Sequence, residues 1–285
     1  FAENASDAGL YVGQCRNVVV RRNRVTGNVA GLEIENTQYA DVYENHAEDN
    51  TGGIVVFDLP GNPIVGRDVR LRDNTIVRNN RRNFAPGGTV AEIPPGTGTF
   101  VMASRRVVVT NNTYEENNAV DIALISGLII EGNPATWELD EAELVGNWDD
   151  LGLLPGATAD TVMNFRSENI VVSGNTHTNP GSSYTLLLQF GQLLAALYGS
   201  DPADSVVYDT IGEPMFDATV AANNSNANRI CVGGNTGGTF ASFNAPAQLA
   251  SPGSPFLQLD TAPFAPFDCT TLAGGDLVVW DADAP

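Results

Sequence analysis

The sequence contains no lysine, and all of its 14 basic residues are arginine. Histidine is almost as scarce, since His46 and His177 are the only two. Without lysine, the chain lacks one of the side chains that enzymes use to take a proton from carbon. The two histidines follow equivalent asparagines in different repeats, two or more repeats apart. They therefore predict neither a shared metal site nor a nucleophile activated by histidine.

Long apolar runs are also absent. The apolar stretch 186–197 would span about 18 Å as a helix, whereas the hydrocarbon core of a bilayer is about 30 Å thick. We therefore expect no membrane span. The helical spacing of apolar residues over 184–194 instead predicts a helix within an insertion, ending near Gly199.

Negative charge is concentrated in one part of the chain. Residues 1–106 hold 12 arginines and 12 acidic residues, whereas residues 107–285 hold two arginines and 22 acidic residues. The formal net charge of −20 therefore comes from the second part. Such a surface repels nucleic acid and anionic membranes, and it suits a salty medium that screens charges beyond about 8 Å. Two interpretations of the acidic residues remain, a divalent-cation site and a solvated acidic face.

The chain repeats itself with a period of 22 residues. Gly9–Val12 recurs as Gly31–Ile34 and again as Gly53–Val56, each 22 residues after the last. A period of about 20–50 residues indicates a solenoid. A leucine-rich repeat needs leucine at several fixed positions, but here single leucines alternate with valine and isoleucine. This alternation indicates short strands without a helix, so the sequence predicts an all-β fold, a parallel β-helix.

An asparagine follows each short β-branched run at a fixed offset. Asparagine tolerates a left-handed backbone and bonds to its neighbours, so it suits a sharp turn between strands. In stacked coils these side chains would lie above one another, and each amide could donate to the next. The alternative is that asparagine is only a common turn residue. The predicted ladder consists of Asn23, Asn45, Asn74, Asn112, Asn175 and Asn235.

Several segments resemble the bacterial parallel β-helix repeat proteins, namely Ser6–Gln14 with Asn17–Val20, Asn28–Thr37, Gly52–Gly61, Asn83–Pro86 and Pro94–Met102. The resemblance is close over residues 6–118 and patchy from there to Asn235. It implies a right-handed β-helix exported by Gram-negative, often marine, bacteria, and hence a periplasmic, outer-membrane-associated or extracellular location. Family members are often encoded beside a c-type cytochrome, which implies such a partner. The family has no assigned reaction, and its pectate lyase and alginate epimerase relatives are analogous in fold and not in site.

Composition divides the chain into a β-helix domain over residues 1–239 and a C-terminal cap over residues 240–285. A cap is expected because an open solenoid end exposes its core and a strand edge. Four stretches interrupt the repeat with loop-forming or helix-forming composition. The predicted insertions cover about residues 58–66, 79–97, 127–164 and 180–222.

The three cysteines suggest one covalent link. Cys231 lies in the last repeat and Cys269 in the cap, so a disulfide between them would tie the two together and would fit an oxidising compartment. Two buried free thiols are the alternative. Cys15 has no obvious partner, and we expect it to be buried as a small apolar residue.

The first repeat is as apolar as an interior one. It carries Leu10, Val12 and Val18–Val20, and no capping helix or polar edge precedes it. A coil buries its inward residues only between neighbours. We therefore expect either a longer native chain or a partner surface on this N-terminal edge.

The outward face of the strands offers the best candidate for a binding site. Glu33 and Glu35 are strand neighbours that point the same way, about 7 Å apart. Together with nearby residues they could frame Ca²⁺ or a sugar, and the alternative is two solvated glutamates. The rest of the face is apolar, so it predicts a docking surface for a protein or a surface covered by the insertions 127–164 and 180–222. The candidate binding residues are Tyr11, Glu33, Glu35, Phe57 and Asp58.

No constellation of residues predicts catalysis. The sequence therefore favours an exported protein with a binding or scaffolding role, including polysaccharide binding, with Ca²⁺ as the one candidate cofactor. The alternative is a polysaccharide lyase or epimerase acting on uronic-acid chains with Ca²⁺, which needs a basic residue beside the sugar. That alternative gains support if Arg70, Arg72 and Arg78 share a groove with the glutamate pair, and loses support if they point away.

Overall fold

The computed structural model describes residues 1–146, 151–212, 226–243 and 265–272. One α-helix, α1, spans Gln189–Tyr198, and short 3₁₀ helices span Thr89–Glu92, Gly127–Ile129, Pro134–Trp137 and Glu141–Glu143. The strands are β1 (Ala2–Glu3), β2 (Ala8–Gly13), β3 (Arg16–Arg21), β4 (Arg24–Thr26), β5 (Ala30–Glu35), β6 (Gln38–Tyr43), β7 (His46–Glu48), β8 (Gly52–Phe57), β9 (Arg67–Arg72), β10 (Thr75–Val77), β11 (Thr97–Met102), β12 (Arg105–Thr110), β13 (Thr113–Glu115), β14 (Val120–Ile125), β15 (Glu138–Asp140), β16 (Leu154–Pro155), β17 (Thr161–Met163), β18 (Glu168–Ser173), β19 (Thr176–Thr178), β20 (Val206–Tyr208), β21 (Ile230–Gly233) and β22 (Phe240–Ser242).

Successive coils of the chain contribute strands to three stacked parallel sheets. The first sheet has the order β1-β4-β7-β10-β13-β19, the second β2-β5-β8-β11-β14-β20-β22 and the third β3-β6-β9-β12-β18-β21. Equivalent residues of neighbouring coils are paired, as in Leu10 with Leu32 and Leu32 with Ile54. The predicted all-β fold, a parallel β-helix, is therefore confirmed.

The hydrophobic core lies between the three sheets. Alternation along each strand turns every second side chain inwards, so that Leu32, Ile54 and Val42 join one continuous buried cluster. Each such side chain contributes about 1.5–3 kcal/mol by leaving water. In the first coil, Leu10 and Val12 pack against this cluster but are only partly buried. The expected cover over this edge stays a prediction.

The six predicted asparagines stack along the solenoid. Each amide Nδ2 donates to Oδ1 of the next asparagine, over distances of 2.9–3.1 Å. The same Oδ1 also accepts a hydrogen bond from the backbone N–H of the preceding asparagine in the ladder. Asn45 Oδ1, for example, accepts from Asn23 N at 3.0 Å. From Asn45 onwards, each Nδ2 also donates to a main-chain carbonyl of the preceding coil. The side chains therefore join neighbouring coils in the same way at every step.

The backbone turn falls one residue earlier than the asparagine column predicts. Arg22, Glu44, Asp73 and Asn111 have φ angles of 57°, 54°, 53° and 55°, whereas none of the ladder asparagines has a positive φ. The side chain of each ladder asparagine forms hydrogen bonds with neighbouring coils, and the residue before it adopts the left-handed backbone conformation of the turn. Glycine occupies that position in the later coils.

A second asparagine ladder runs beside the first and was not predicted. Asn28 donates to Asn50, Asn50 to Asn79 and Asn79 to Asn117, over 2.9–3.2 Å. Each member lies five residues after a member of the first ladder. That recurring spacing was the signal in the sequence.

The insertions pack outside the solenoid. β15, β17 and β16 form a small antiparallel sheet, and α1 ends before Gly199, where φ is 63°. The predicted helix is present but begins at Gln189, five residues later than expected. β20 lies within the stretch 180–222, which was predicted to be one insertion. The sequence did not reveal this strand, because a run of three β-branched or aromatic residues is too short to show a period. No helix within the described ranges is long and apolar enough to span a membrane.

Part of the C-terminal segment closes the last coil. β22 pairs with β20, so the second sheet continues past residue 239. Phe267 packs against Tyr208 and Phe240, with ring centroids 5.8 and 5.4 Å away. The remainder of the expected cap, residues 244–264 and 273–285, lies outside the described residues. The described part is anchored by aromatic packing on the core.

Cys231 and Cys269 form a disulfide, as expected. Cys15 is exposed, so the expectation that it is buried is wrong. It lies in the turn between β2 and β3, outside the inward-facing positions of the coil.

Reduction of the disulfide should destabilise the C-terminal end of the solenoid. The bond joins residues separated by 38 positions, and a closed loop of that length is worth about 4 kcal/mol of unfolding free energy in the chain-entropy description. Denaturant unfolding with and without reductant measures the loss, and a Cys15→Ser variant should respond equally. Thiol labelling of the denatured protein should modify one cysteine before reduction and three after it. Three labelled thiols before reduction would contradict the bond.

Candidate functional site

The candidate site is a cavity of about 270 Å³ on the outward face of the second sheet. Its polar wall comes from β2 and β5, and the insertions 58–66 and 79–97 contribute the opposite wall through Leu59 and the segment 87–90. Four of the five candidate residues from the sequence lie here together with Asp7. These four are Tyr11, Glu33, Glu35 and Phe57.

Glu33 is the most buried acid of the cavity, with 3% of its surface exposed. Its Oε2 has no hydrogen-bond partner among the residues that the structure describes. Burial raises the pKa of Glu33 to about 8, and the neighbouring Asp7 and Glu35 charges act in the same direction. Glu33 is therefore largely protonated at neutral pH and can donate a hydrogen bond.

Glu35 is held by donors from the preceding coil. Tyr11 donates its hydroxyl to Glu35 Oε1 at 3.1 Å, and Gln14 Nε2 approaches the same oxygen at 3.5 Å. Burial and the charge of Glu35 raise the pKa of Tyr11 to about 12, so this residue keeps its hydroxyl proton. The side chain of Tyr11 is 52% exposed and presents an aromatic surface at the mouth of the cavity.

Asp58, the fifth candidate residue, does not line the cavity. It is buried and accepts hydrogen bonds from Gly66 N at 2.8 Å and Asn164 Nδ2 at 2.9 Å. Burial raises its pKa to about 6. Asp58 is the first residue after β8, where strand alternation no longer fixes the direction of the side chain. Asp58 is therefore separate from the other four candidate residues, and it ties the insertion 127–164 to the solenoid.

The apolar part of the outward face is covered by the chain itself. Val55, Phe100, Met102, Ala123 and Ile125 are all buried. A protein partner on this strand face is therefore a wrong expectation, whereas cover by the chain's own insertions is observed. The covering side chains include Val90, Ile93, Trp137, Phe165, Phe190 and Leu194.

A second cavity of about 390 Å³ adjoins the first. The two cavities share Leu59, Gly88 and Thr89 in their linings. Glu92, Glu131 and the largely buried Trp137 add acceptors and apolar surface. An extended ligand could therefore occupy both cavities along the outward face.

The linings of these two cavities contain no basic side chain. Arg70 and Arg72 both bind Asp41 on the third sheet, and Arg78 binds Glu48 on the first sheet. The arginines that would have supported a lyase or epimerase therefore point away from Glu33 and Glu35. Across the described ranges, no group of three or more His, Cys, Asp or Glu side chains is arranged to hold a metal ion.

A buried polar cluster beneath the insertion 127–164 was missed. Arg105 donates to Asn164, and its Nε lies 3.9 Å from a carboxylate oxygen of Glu168. Burial lowers the pKa of Arg105 to about 10. Asn164 in turn donates to Asp58 at 2.9 Å. Because each member is buried against another, the cluster fixes the insertion and offers no open surface to a ligand.

His177 is buried at the end of the second ladder, where Asp121 connects it to Asn117. Asp121 accepts from Asn117 Nδ2 at 3.0 Å and lies 2.9 Å from His177 Nδ1. The imidazole stacks on Tyr114 with centroids 5.1 Å apart. These contacts lie within the body of the solenoid, so they join β14 and β19 to β13 of the preceding coil.

A further cavity, of about 440 Å³, lies at the C-terminal end. Val206, Val232 and Phe240 line it and belong to or pack on the main core. Part of its wall is therefore formed by the end of the hydrophobic core. The rest of the lining includes Asp204 and Asp268.

Residues 2–136 match the family model described as the right handed beta helix region. This region is therefore similar to the right-handed β-helix family. The strands beyond it continue the same three parallel sheets, so the whole fold is a right-handed parallel β-helix. No curated protein and no solved structure matches the chain. The family match and the three parallel sheets support the same scaffold, and the two adjoining cavities lie on the outward face of its second sheet.

Proposed function

We propose that this β-helix protein binds a neutral polysaccharide chain along the two adjoining cavities of the second sheet. The observation that carries the proposal is a cavity lined by Asp7, Glu33 and Glu35 without a basic side chain in its lining. Carboxylate oxygens accept hydrogen bonds, and a protonated Glu33 also donates one. Sugar hydroxyls can both donate and accept, so they complement this set of groups.

Aromatic and apolar surfaces complete the proposed binding surface. Tyr11 presents a half-exposed ring, and Phe57 and Met102 contribute apolar walls. Such a combination of apolar walls and a few convergent polar groups is typical of ligand sites. The volumes of about 270 and 390 Å³ suit individual sugar units.

The charge of the cavities favours neutral sugars over uronic acids. A uronate carboxylate beside Asp7 and Glu35 would meet like charges in a partly desolvated place. Arg70, Arg72 and Arg78, which could have offset that charge, bind acids on the other two sheets. The lyase or epimerase alternative is therefore less well supported than binding.

We also infer that the protein works outside the cytoplasm. Disulfides persist mainly in oxidising compartments, and the bond between Cys231 and Cys269 supports such a location. The c-type cytochrome partner implied by the resemblance, and a partner on the N-terminal edge, stay predictions.

Titration calorimetry with soluble neutral oligosaccharides and with alginate oligosaccharides tests the proposed binding. We expect heat of binding with at least one neutral series and none with alginate. Glu35→Gln should weaken the affinity at least about tenfold, because a hydrogen bond to a charged group contributes about 1.5–3 kcal/mol. Tyr11→Ala should also weaken it.

The matched control is Glu44→Gln. Glu44 is an exposed glutamate in the turn after β6 that pairs with Arg22, so its substitution should leave the affinity unchanged. Preferential binding of alginate, or equal effects of Glu35→Gln and Glu44→Gln, would contradict the proposal.

A further inference from the structure

We propose that Glu33 and Glu35 hydrolyse a glycosidic bond of the bound chain, with Glu33 as the general acid and Glu35 as the general base. This inference rests on the proposed polysaccharide binding and adds a reaction to it. Its basis is the placement of two carboxyl groups with different surroundings in one cavity.

The spacing of the pair suits an inverting hydrolysis. Both glutamates lie on β5 and face outwards, two positions apart, which separates strand residues by about 7 Å. Inverting glycosidases keep their two carboxyl groups about 6.5–9.5 Å apart, so that a water molecule fits on the far side of the sugar. Retaining enzymes need about 5–5.5 Å. Carboxyl groups that keep this backbone spacing would fall in the range for inversion and outside the range for retention.

The surroundings give the two carboxyl groups different roles. Glu33 is 3% exposed and its Oε2 lacks a hydrogen-bond partner within the described part of the chain. The charged and titratable groups that face it are Asp7 before β2, Tyr11 on β2 and Glu35 on its own strand. The opposite wall contributes Gly87, Gly88, Thr89 and Val90, which carry no charge.

Burial and the two neighbouring carboxylates raise the pKa of Glu33 to about 8. A carboxylic acid that keeps its proton near neutral pH is the usual general acid of a glycosidase. Glu35, by contrast, accepts hydrogen bonds from Tyr11 and Gln14. These donors orient a carboxylate that can take a proton from water.

The reaction balances with water as the only co-reactant. Glu33 gives its proton to the glycosidic oxygen, and the bond between that oxygen and the anomeric carbon breaks. The leaving sugar departs as an alcohol. Glu35 removes one proton from a water molecule while the water oxygen bonds to the anomeric carbon from the opposite face. The two glutamates then exchange their protons with solvent and return to the starting state.

The test uses the neutral polysaccharides that the intact protein binds, with new reducing ends as the readout. We expect turnover, and we expect proton NMR to show that the first product has the inverted anomeric configuration. Glu33→Gln and Glu35→Gln should each lower kcat by about 10²–10⁴-fold. Glu44→Gln should leave kcat unchanged, since that residue lies in the turn after β6 and lines neither cavity.

Two further measurements separate catalysis from a structural role. Glu33→Gln should retain activity on aryl glycosides whose leaving group needs no proton, and it should remove the high-pH limb of the rate profile. The folded-state pKa of Glu33 is raised, so the stability of the parent should be full below about pH 4.5 and fall as pH rises through about 8. Glu33→Gln should flatten that dependence without unfolding the protein.

The outcomes distinguish the two proposals. Binding of a neutral chain without new reducing ends would overturn the hydrolysis and leave the proposed binding standing. Hydrolysis with retained configuration, or equal losses on natural and aryl substrates in Glu33→Gln, would overturn the assigned roles. Failure to bind any neutral chain would overturn the proposed function and the inference together.

Discussion

Asn45→Leu should lower the unfolding free energy by about 3–5 kcal/mol. Asn45 is 2% exposed and lies in the middle of the first ladder. Its Nδ2 donates to Asn74 Oδ1 at 3.0 Å and to Val20 O at 2.9 Å, and its Oδ1 accepts both the backbone N–H and the Nδ2 of Asn23. A leucine of similar volume fills the space but removes all four hydrogen bonds, which takes the acceptor from the Asn23 backbone N–H and the donor from the Val20 carbonyl.

The cost follows from the groups that stay behind. A buried donor or acceptor left without a partner costs about 1–3 kcal/mol, and the same hydrogen bond formed in competition with water gives less. Three coils meet at Asn45, so solvent cannot replace the lost amide without opening the solenoid. Urea denaturation of parent and variant measures the difference.

Asn23→Leu is the matched control at the end of the same ladder. Asn23 is only partly buried and donates to Asn45 Oδ1 and Arg21 O. Water can reach this rung, so the loss should be less than half of that at Asn45. Equal losses of unfolding free energy at Asn23 and Asn45 would contradict the prediction. They would show that the hydrogen bonds between ladder asparagines add no stability beyond that of an ordinary turn residue.

The repeat in the sequence was sufficient to predict the scaffold. Gly9–Val12 and its copies at Gly31 and Gly53 predicted strands that the structure pairs in register. The asparagine offset predicted side chains that bond between coils. The strand motif and the asparagine offset recur in successive coils, so one sequence shows each pattern several times and makes it recognisable.

Features that depend on the insertions could not be predicted in the same way. The burial of Glu33 depends on Val90 and its neighbours, which come from the insertion 79–97. That segment carries no period, so the sequence left solvated glutamates as an alternative. Asp58 and Cys15 were misplaced for a related reason, because both lie in turns where alternation no longer fixes the side chain.

The two glutamates themselves were found because they interrupt an otherwise apolar outward face. Their position on β5 follows from alternation alone, and so does their common direction. Their different surroundings do not, because Tyr11 and Asp7 reach them from the preceding coil. The sequence therefore located the pair, whereas the difference between the surroundings of Glu33 and Glu35 depends on the packing of neighbouring coils.

Gly53→Ala should destabilise the protein by about 3 kcal/mol or more, although it adds one methyl group. Gly31, Gly53 and Gly98 occupy one column of the second sheet, where successive coils approach closely. A Cβ at Gly53 would lie 2.6 Å from the carbonyl oxygen of Gly98 and 2.6 Å from a methyl carbon of Ile76. The carbonyl belongs to a paired strand, so it cannot move away without disturbing the hydrogen bonds of the next coil.

Gly87→Ala is the matched control for this last prediction. A Cβ at Gly87 would meet no atom within 4 Å, and its backbone conformation carries no penalty for an L residue. This substitution should leave the unfolding free energy within about 1 kcal/mol of the parent, because it mainly reduces the entropy of the unfolded chain. Guanidinium denaturation of both variants measures the contrast. Equal unfolding free energies for the Gly53→Ala and Gly87→Ala proteins would contradict this prediction. They would mean that neighbouring coils can move apart at the glycine column without any loss of stability.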